Sequence, residues 1–181
     1  MGANQVRIIG GAWRRRLVSF PHAAGLRPSP DRVRETLFNW LGQNLSGCAC
    51  LDLFAGSGVL GFEAASRGAD RVVLVEARRE VAAMLRDNAK QLNAAQVEVV
   101  HGDALEFVRR DVGLYDVVFL DPPFVKDLFP AILPLLIARL APGARVYVER
   151  GAPMVVELPW RELRRGKAGQ VYYQLLALEV P

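Results

Sequence analysis

"LDLFAGSGVLGFEAASRG", Leu51–Gly68, is the stretch whose reading decides the fold. With the preceding "CAC", its first residues make a short apolar run, the pattern of a buried strand. "SGVLGFEAASRG" follows as a helix of small and apolar residues that stops at Gly68. Between them Gly56, Gly58 and Gly61 spell G-x-G-x-x-G. Glycines there mean that the chain turns tightly and that a ligand can approach the backbone. The triplet alone does not say which ligand.

Working outward, strand and helix keep alternating. "RVVLVE" (71–76), "VEVVHGD" (97–103), "YDVVFLD" (115–121) and "ARVYVE" (144–149) read as strands. "REVAAMLRDNAKQL" (79–92), "ALEFVRR" (104–110) and "LFPAILPLLIARL" (128–140), which Pro134 can kink, read as helices. "WRELRRGKAG" and "QVYYQLLALEV" predict a terminal antiparallel pair around Gly166–Gly169. Such alternation predicts an α/β domain with a mainly parallel sheet.

Upstream, "QVRIIGGAWRRRLVSF" (5–20) predicts a hairpin turning at Gly10-Gly11. Its alternation would put Arg14 and Arg16 on one face and Arg15 on the other. "SPDRVRETLFNWLG" (29–42) predicts a helix with Ser29 as N-cap, Pro30 at its first position and an apolar stripe of Val33, Leu37, Trp40 and Leu41. The expected organisation is an extension over 1–42 and a main domain over 43–181, together one compact unit.

Charge separates these two parts. Residues 1–40 hold seven arginines and no lysine against Asp31 and Glu35, a balance of +5, while the rest of the 181-residue chain carries −1. Arginine-only excess favours phosphate and nucleic acid. Cys48 and Cys50, one residue apart, suit neither an ordinary disulfide nor a zinc site, so no metal is expected. The start lacks an apolar signal core, and the most apolar late segment holds two prolines and Arg139. The expectation is a soluble cytoplasmic protein without membrane contact. His22 and His101 have no partner pattern, and Trp13, Trp40 and Trp160 read as packing residues.

Ligands of parallel α/β sheets sit beyond the carboxyl ends of the strands. Asp52, Glu76, Asp103 and Asp121 stand at four of those ends. Carboxylates repel a pyrophosphate, which argues against a nicotinamide-dependent oxidoreductase. They favour S-adenosyl-L-methionine. Asp52 faces its cationic groups, Glu76 accepts its ribose hydroxyls, and Asp103 accepts its adenine amine. "FLDPPF" (119–124) completes the pattern. An exocyclic base amine is a poor nucleophile, because its lone pair is delocalised. A carboxylate on Asp121 and a carbonyl held rigid by Pro122 and Pro123 can accept both its N–H groups and free that lone pair. Phe124 offers a face on which a base stacks.

The chain here resembles the RsmD-type 16S ribosomal RNA guanine-N2 methyltransferases. The resemblance rests on "RIIGGAWRRRLV", "LRPSPDRVRETLFNWL", "LDLFAGSGVLGFEAASRGA", "VEARREVAAMLRDNAKQL", "GDALEFV", "FLDPPF" and "VYVE", in order over about residues 5–150. It implies a Rossmann-like class I methyltransferase sheet with a reversed last strand and an N-terminal hairpin–helix extension. It also implies methylation of guanine 966 in 16S rRNA, within the small subunit or its assembly intermediate, by a monomer. On this reading Asp121, Pro122, Pro123 and Phe124 are catalytic. Asp52, Phe54, Ala55, Gly56, Gly58, Glu76, Asp103 and Ala104 bind the cofactor. Arg7, Arg14, Arg16, Arg27, Arg32 and Arg34 are the candidates for RNA contact. DNA-adenine or protein-glutamine amino-methyltransferases share the acid- or amide-Pro-Pro device and stand as the nearest alternatives. A non-catalytic RNA-binding protein on the same scaffold would not need an intact "DPPF".

Overall fold

The computed structural model describes residues 4–22, 26, 28–123 and 127–179. Seven strands form one sheet: β3 (Ala49–Asp52), β4 (Arg71–Glu76), β5 (Val97–His101), β6 (Tyr115–Leu120), β7 (Leu140–Arg150), β8 (Trp160–Ala168) and β9 (Val171–Leu178). Their order is β5-β4-β3-β6-β7-β9-β8. β3 to β7 run parallel, and β9 lies antiparallel between β7 and β8. The reversed last strand implied by the resemblance is present, and the terminal pair folds as its sequence predicts. Helices α2 (Val59–Ser66), α3 (Arg79–Gln91), α4 (Ala104–Arg110) and α5 (Phe129–Leu136) connect the strands, and a three-residue 3-10 turn, Ile137–Arg139, follows α5.

The central strands bury both faces, which is why they read as continuous apolar runs rather than alternating ones. Cys50, Val72, Leu74, Val117 and Phe119 face a core shared with α2, α3 and the N-terminal elements. Leu51, Val73, Val75, Val118 and Leu120 face a second core under α4 and α5. Burying each such Val or Leu contributes roughly 1.5–3 kcal/mol, so the parallel centre is the rigid part on which the rim depends.

The N-terminal residues depart from the expected hairpin. β1 (Asn4–Arg7) and β2 (Leu17–Phe20) do pair antiparallel. Gly10-Gly11 is not the reversal, however. Residues 8–16 form a wider excursion in which Ile8 N–H bonds Arg16 O at 2.9 Å and Arg15 N–H bonds Ile8 O at 2.8 Å. Gly11 takes a positive φ of 73° because its backbone lies against the end of α2, where a Cβ would collide with the Ser66 carbonyl. Arg15 also has φ 73°. Arg14, Arg15 and Arg16 are therefore turn residues, all exposed, and the face alternation expected of them does not apply.

The helix α1 (Asp31–Leu41) is present, but Ser29 does not cap it. Pro30 occupies the N-cap position, and the Ser29 hydroxyl instead donates to Glu149 Oε1 at 2.7 Å. The helix starts one residue later than a Ser29 cap would need, so the hydroxyl oxygen accepts no helix N–H, while its O–H makes a charge-assisted bond to the carboxylate. Trp40 and Trp160 pack as expected, Trp40 tilted against Tyr173 at 5.4 Å and Trp160 in the core under α5.

Candidate active site

The carboxyl ends of β3, β4, β6 and β7 converge on one rim. After β3 the chain is pinned by Leu53 N–H to Phe119 O at 3.2 Å and Ala55 N–H to Val75 O at 3.0 Å. Gly56 and Gly58 both sit at positive φ, 52° and 75°. The glycines have different reasons. At Gly61 a Cβ would strike Leu74 on β4, so this glycine lets α2 pack on the sheet. At Gly58 a Cβ would strike Leu85 and Phe62. Among the described residues, Gly56 alone of the three meets no close obstacle, the nearest atom being Leu26 Cδ1 at 3.4 Å. Its left-handed turn directs its N–H to Glu76 Oε2 at 3.0 Å.

Glu76, at the end of β4, is buried and held at both oxygens: Gly56 N–H on one, and Arg78 N–H at 2.9 Å on the other. Oε1 also takes the Arg78 Nε–H at 3.4 Å, so Oε2 keeps a free lone pair for one hydroxyl of a diol, and the second hydroxyl would displace that long Arg78 contact from Oε1. Asp52, at the end of β3, is 2% exposed, and its Oδ1 has no partner among the described residues. Burial pushes its carboxyl up to about 7; the Phe54 and Gly61 N–H groups oppose this, and the Glu76 and Glu149 carboxylates add to it. A buried acid with an unpaired oxygen is a poor structural element and a good receptor for a cation. Phe54 is half-buried and Ala55 buried beside it.

Asp103 starts α4 and accepts Glu106 N–H at 3.0 Å, so it serves as a helix cap. It is nonetheless exposed at the end of β5, next to the buried Ala104, on the rim that bears Glu76.

Asp121 follows β6 directly and is half-buried, with Pro122 buried and Pro123 exposed. Phe124 and Arg27, both expected at the site or its RNA surface, lie outside the described residues. Burial raises the Asp121 carboxyl well above the ordinary range, and the carboxylates of Glu149 and Asp52 push it further. Glu149, which sequence reasoning did not assign, is 3% exposed at the end of β7. Ser29 and the Tyr147 hydroxyl (2.8 Å) both donate to its Oε1. Burial raises it too, against those two hydrogen bonds. The signal was available: "ARVYVE" ends in an acid just as "RVVLVE" does. Asp52 and Asp121 thus both feel the Glu149 carboxylate, and burial with that neighbour raises both above the ordinary carboxylate range.

The arginines separate into distinct roles. Arg34 was expected to face RNA, but it is 0% exposed. It reaches Glu63 Oε1 and Asp31 Oδ1, each at 2.5 Å, the Arg7 carbonyl at 2.9 Å and the Ser29 carbonyl at 3.0 Å. Glu63 also binds Arg67 and accepts Ile9 N–H at 2.7 Å. An arginine wholly enclosed by these partners cannot touch a nucleic acid; it clamps the extension to α2. Arg7 pairs with Asp31 at 3.2 Å but stays exposed, as does Arg32. The Arg14–Arg16 turn docks through Ala12 N–H on Ser66 O and Trp13 N–H on Ser66 Oγ. That is the carboxyl end of α2, while the glycine loop is at its amino end. Eight helical residues, about 12 Å, separate the two.

The chain matches the family model described as conserved hypothetical protein 95 over residues 6–177. It is 44% identical to ribosomal RNA small subunit methyltransferase D of Escherichia coli (strain K12), over 98% of this chain and 92% of that one. It is 42% identical to the protein of the same name from Haemophilus influenzae, over 94% and 93%. A solved structure described as a putative methyltransferase, yhhF, from Escherichia coli superposes with a TM-score of 0.89, at 43% identity, over 98% of this chain and 100% of that one.

Proposed function

The chain belongs to the RsmD-type methyltransferase family, and from that membership we propose that it transfers a methyl group from S-adenosyl-L-methionine to the exocyclic N2 amine of a guanine in 16S ribosomal RNA. The observation that carries this is the rim itself. A diol-ready carboxylate (Glu76), a buried acid with an unpaired oxygen (Asp52) and an acid followed by two prolines (Asp121) stand at neighbouring strand ends.

The residues present fit the cofactor. Gly56 leaves the loop backbone open and Gly58 lets it pack against Leu85 and Phe62; Glu76 would hold the ribose hydroxyls, Asp103 beside Ala104 the adenine amine, and Asp52 the cationic end. When bound, S-adenosyl-L-methionine supplies the electrophilic methyl on its sulfonium. The rest of the chemistry belongs to this chain. Asp121 and the carbonyl beside it accept the two N–H groups of the base amine and turn its lone pair toward the methyl. Pro122 and Pro123 hold that carbonyl still and offer no competing N–H. Phe124 stacks on the base. Positioning of this kind is most of what an in-line displacement requires. The amine's proton passes to Asp121, whose surroundings raise its proton affinity.

Residues 1–42 act as an RNA-facing extension, with Arg7, Arg14, Arg16, Arg27 and Arg32 on phosphates, and 43–181 as the catalytic unit of a cytoplasmic monomer. The substrate is the small subunit or its assembly intermediate. The test is radiolabelled methyl transfer to small subunits from cells lacking the enzyme, followed by nucleoside analysis. Label in N2-methylguanine is expected. Label in a ribosomal-protein glutamine instead, or transfer to adenine when duplex DNA is offered in parallel, would overturn the assignment.

A further inference from the structure

The strand order brings a second basic element to the catalytic rim. β7 runs parallel to β6, so its end at Glu149–Arg150 lies on the same rim as Asp121. β9 runs back from that rim, pairing Tyr173 with Glu149 and Tyr172 with Arg150. β8 pairs Gly166 with Tyr173 and Lys167 with Tyr172. The β8–β9 turn therefore stands on the rim about three strand spacings, ~15 Å, from β6. It lies on the side away from Glu76 and the cofactor loop.

Its chemistry is that of a phosphate and base contact. β8 carries Arg161, Arg164, Arg165 and Lys167 against Glu162 alone. Arg165 is taken by Glu162 at 3.0 Å. Two other rim cations are also taken, Arg78 by Glu76 and Arg150 by Asp127. Lys167 is exposed and has no carboxylate partner among the described residues; its ammonium stands 4.7 Å from the ring centroid of Tyr172, which is half-buried. Basic residues on an edge strand also guard against strand pairing, and β8 is an edge. That role explains charge anywhere along β8. It does not require the unpaired cation and the aromatic face to sit together at the rim.

We infer that the β8–β9 turn, through Lys167 and Tyr172, is a second RNA-contact arm that grips nucleotides flanking the methylated guanine. The inference rests on the proposed rRNA substrate. The Arg14–Arg16 turn is at the far end of α2 and cannot supply this contact at the rim.

The test uses the full chain with small subunits, varying RNA substrate and salt. Lys167→Ala should raise KM for the RNA substrate roughly three- to tenfold and flatten the salt dependence of binding by about 0.7–0.9 in log–log slope, the loss of one phosphate contact. Lys167→Glu should do more. kcat and S-adenosyl-L-methionine affinity should not change. Arg110→Ala, an exposed cation at the end of α4 away from the rim, should change none of these. Unchanged KM and salt slope in both Lys167 variants would overturn the inference while leaving the proposed function standing. So would self-association of Lys167→Glu with normal RNA kinetics, which would assign Lys167 to edge protection. Failure of the unaltered protein to methylate rRNA at all would overturn both readings.

Discussion

Asp52 shows how one carboxylate sets opposing demands. Its folded-state affinity for a proton is raised, to about 7 from an ordinary 3.8. The folded protein then binds more protons than the unfolded chain between those values. Asp52's contribution to stability is therefore present at low pH and lost as pH rises through about 7. Binding of a sulfonium runs the other way, because the ionised acid is the attractive form. S-adenosyl-L-methionine affinity should fall about tenfold per unit as pH drops below about 7. Between about pH 5.5 and 7 the cofactor's own amino group stays protonated, and because burial also raises Asp121 and Glu149, the comparison with an Asp52 variant isolates the Asp52 part of the slope. Asp52→Asn should bind weakly with a shallower slope and should be more stable than the parent at pH 8. Calorimetry across that range checks both; an unaltered slope in Asp52→Asn would remove Asp52 from the cofactor contact. Asp52 was legible in the sequence because it ends a strand before a glycine turn. Glu149 has the same signature and went unassigned because its importance comes from Ser29, 120 residues away. No local pattern reports such a partner.

At the scale of elements, periodicity carried most of the fold. The parallel strands are continuous apolar runs, and α3 and α4 start within a residue of where their patterns begin. What periodicity misplaced was the extension. Gly10-Gly11 between two apolar runs is an ordinary hairpin signal, but Ser66 and Glu63 on α2 hold residues 9–13 in a wider path. Arg34 was misread for the same reason: on a helix surface an arginine reads as solvated, and only the packing of α1 on α2 encloses it. That clamp joins residues 1–42 to α2. Removing one partner of a buried ion pair costs about 3–5 kcal/mol. Arg34→Ala should lose about 3 kcal/mol or more in urea unfolding, a Tm fall of roughly 6–12 °C for a chain of this size. Hydrogen exchange should rise first in β1, β2 and α1. A loss below about 1 kcal/mol would mean that Arg67 alone satisfies Glu63 and that the clamp is redundant.

Across the whole molecule, the sheet divides its rim between two jobs. The β3–β4–β5 side presents Asp52, Glu76 and Asp103, and the β6–β7 side presents Asp121 and Glu149, with the β8–β9 turn beyond. On the proposed function, cofactor and base would meet at the switch point between β3 and β6, where parallel sheets place their ligands. The acids lie in the core-backed centre, where Arg78 and Arg150 are each held by a carboxylate, and the remaining basic excess lies on the extension and on β8. On the proposed function, a polyanion would be attracted to the edges and admitted at the centre only as a base. The most direct measurement of this division is Asp121→Ala, assayed for single-turnover methyl transfer to small subunits and for S-adenosyl-L-methionine affinity in the same preparation. The division predicts a rate loss on the order of 10²-fold or more, as for a lost positioned acceptor, with cofactor affinity within about twofold of the parent. Loss of cofactor affinity with the rate restored at saturating cofactor would place Asp121 on the cofactor's side and contradict it.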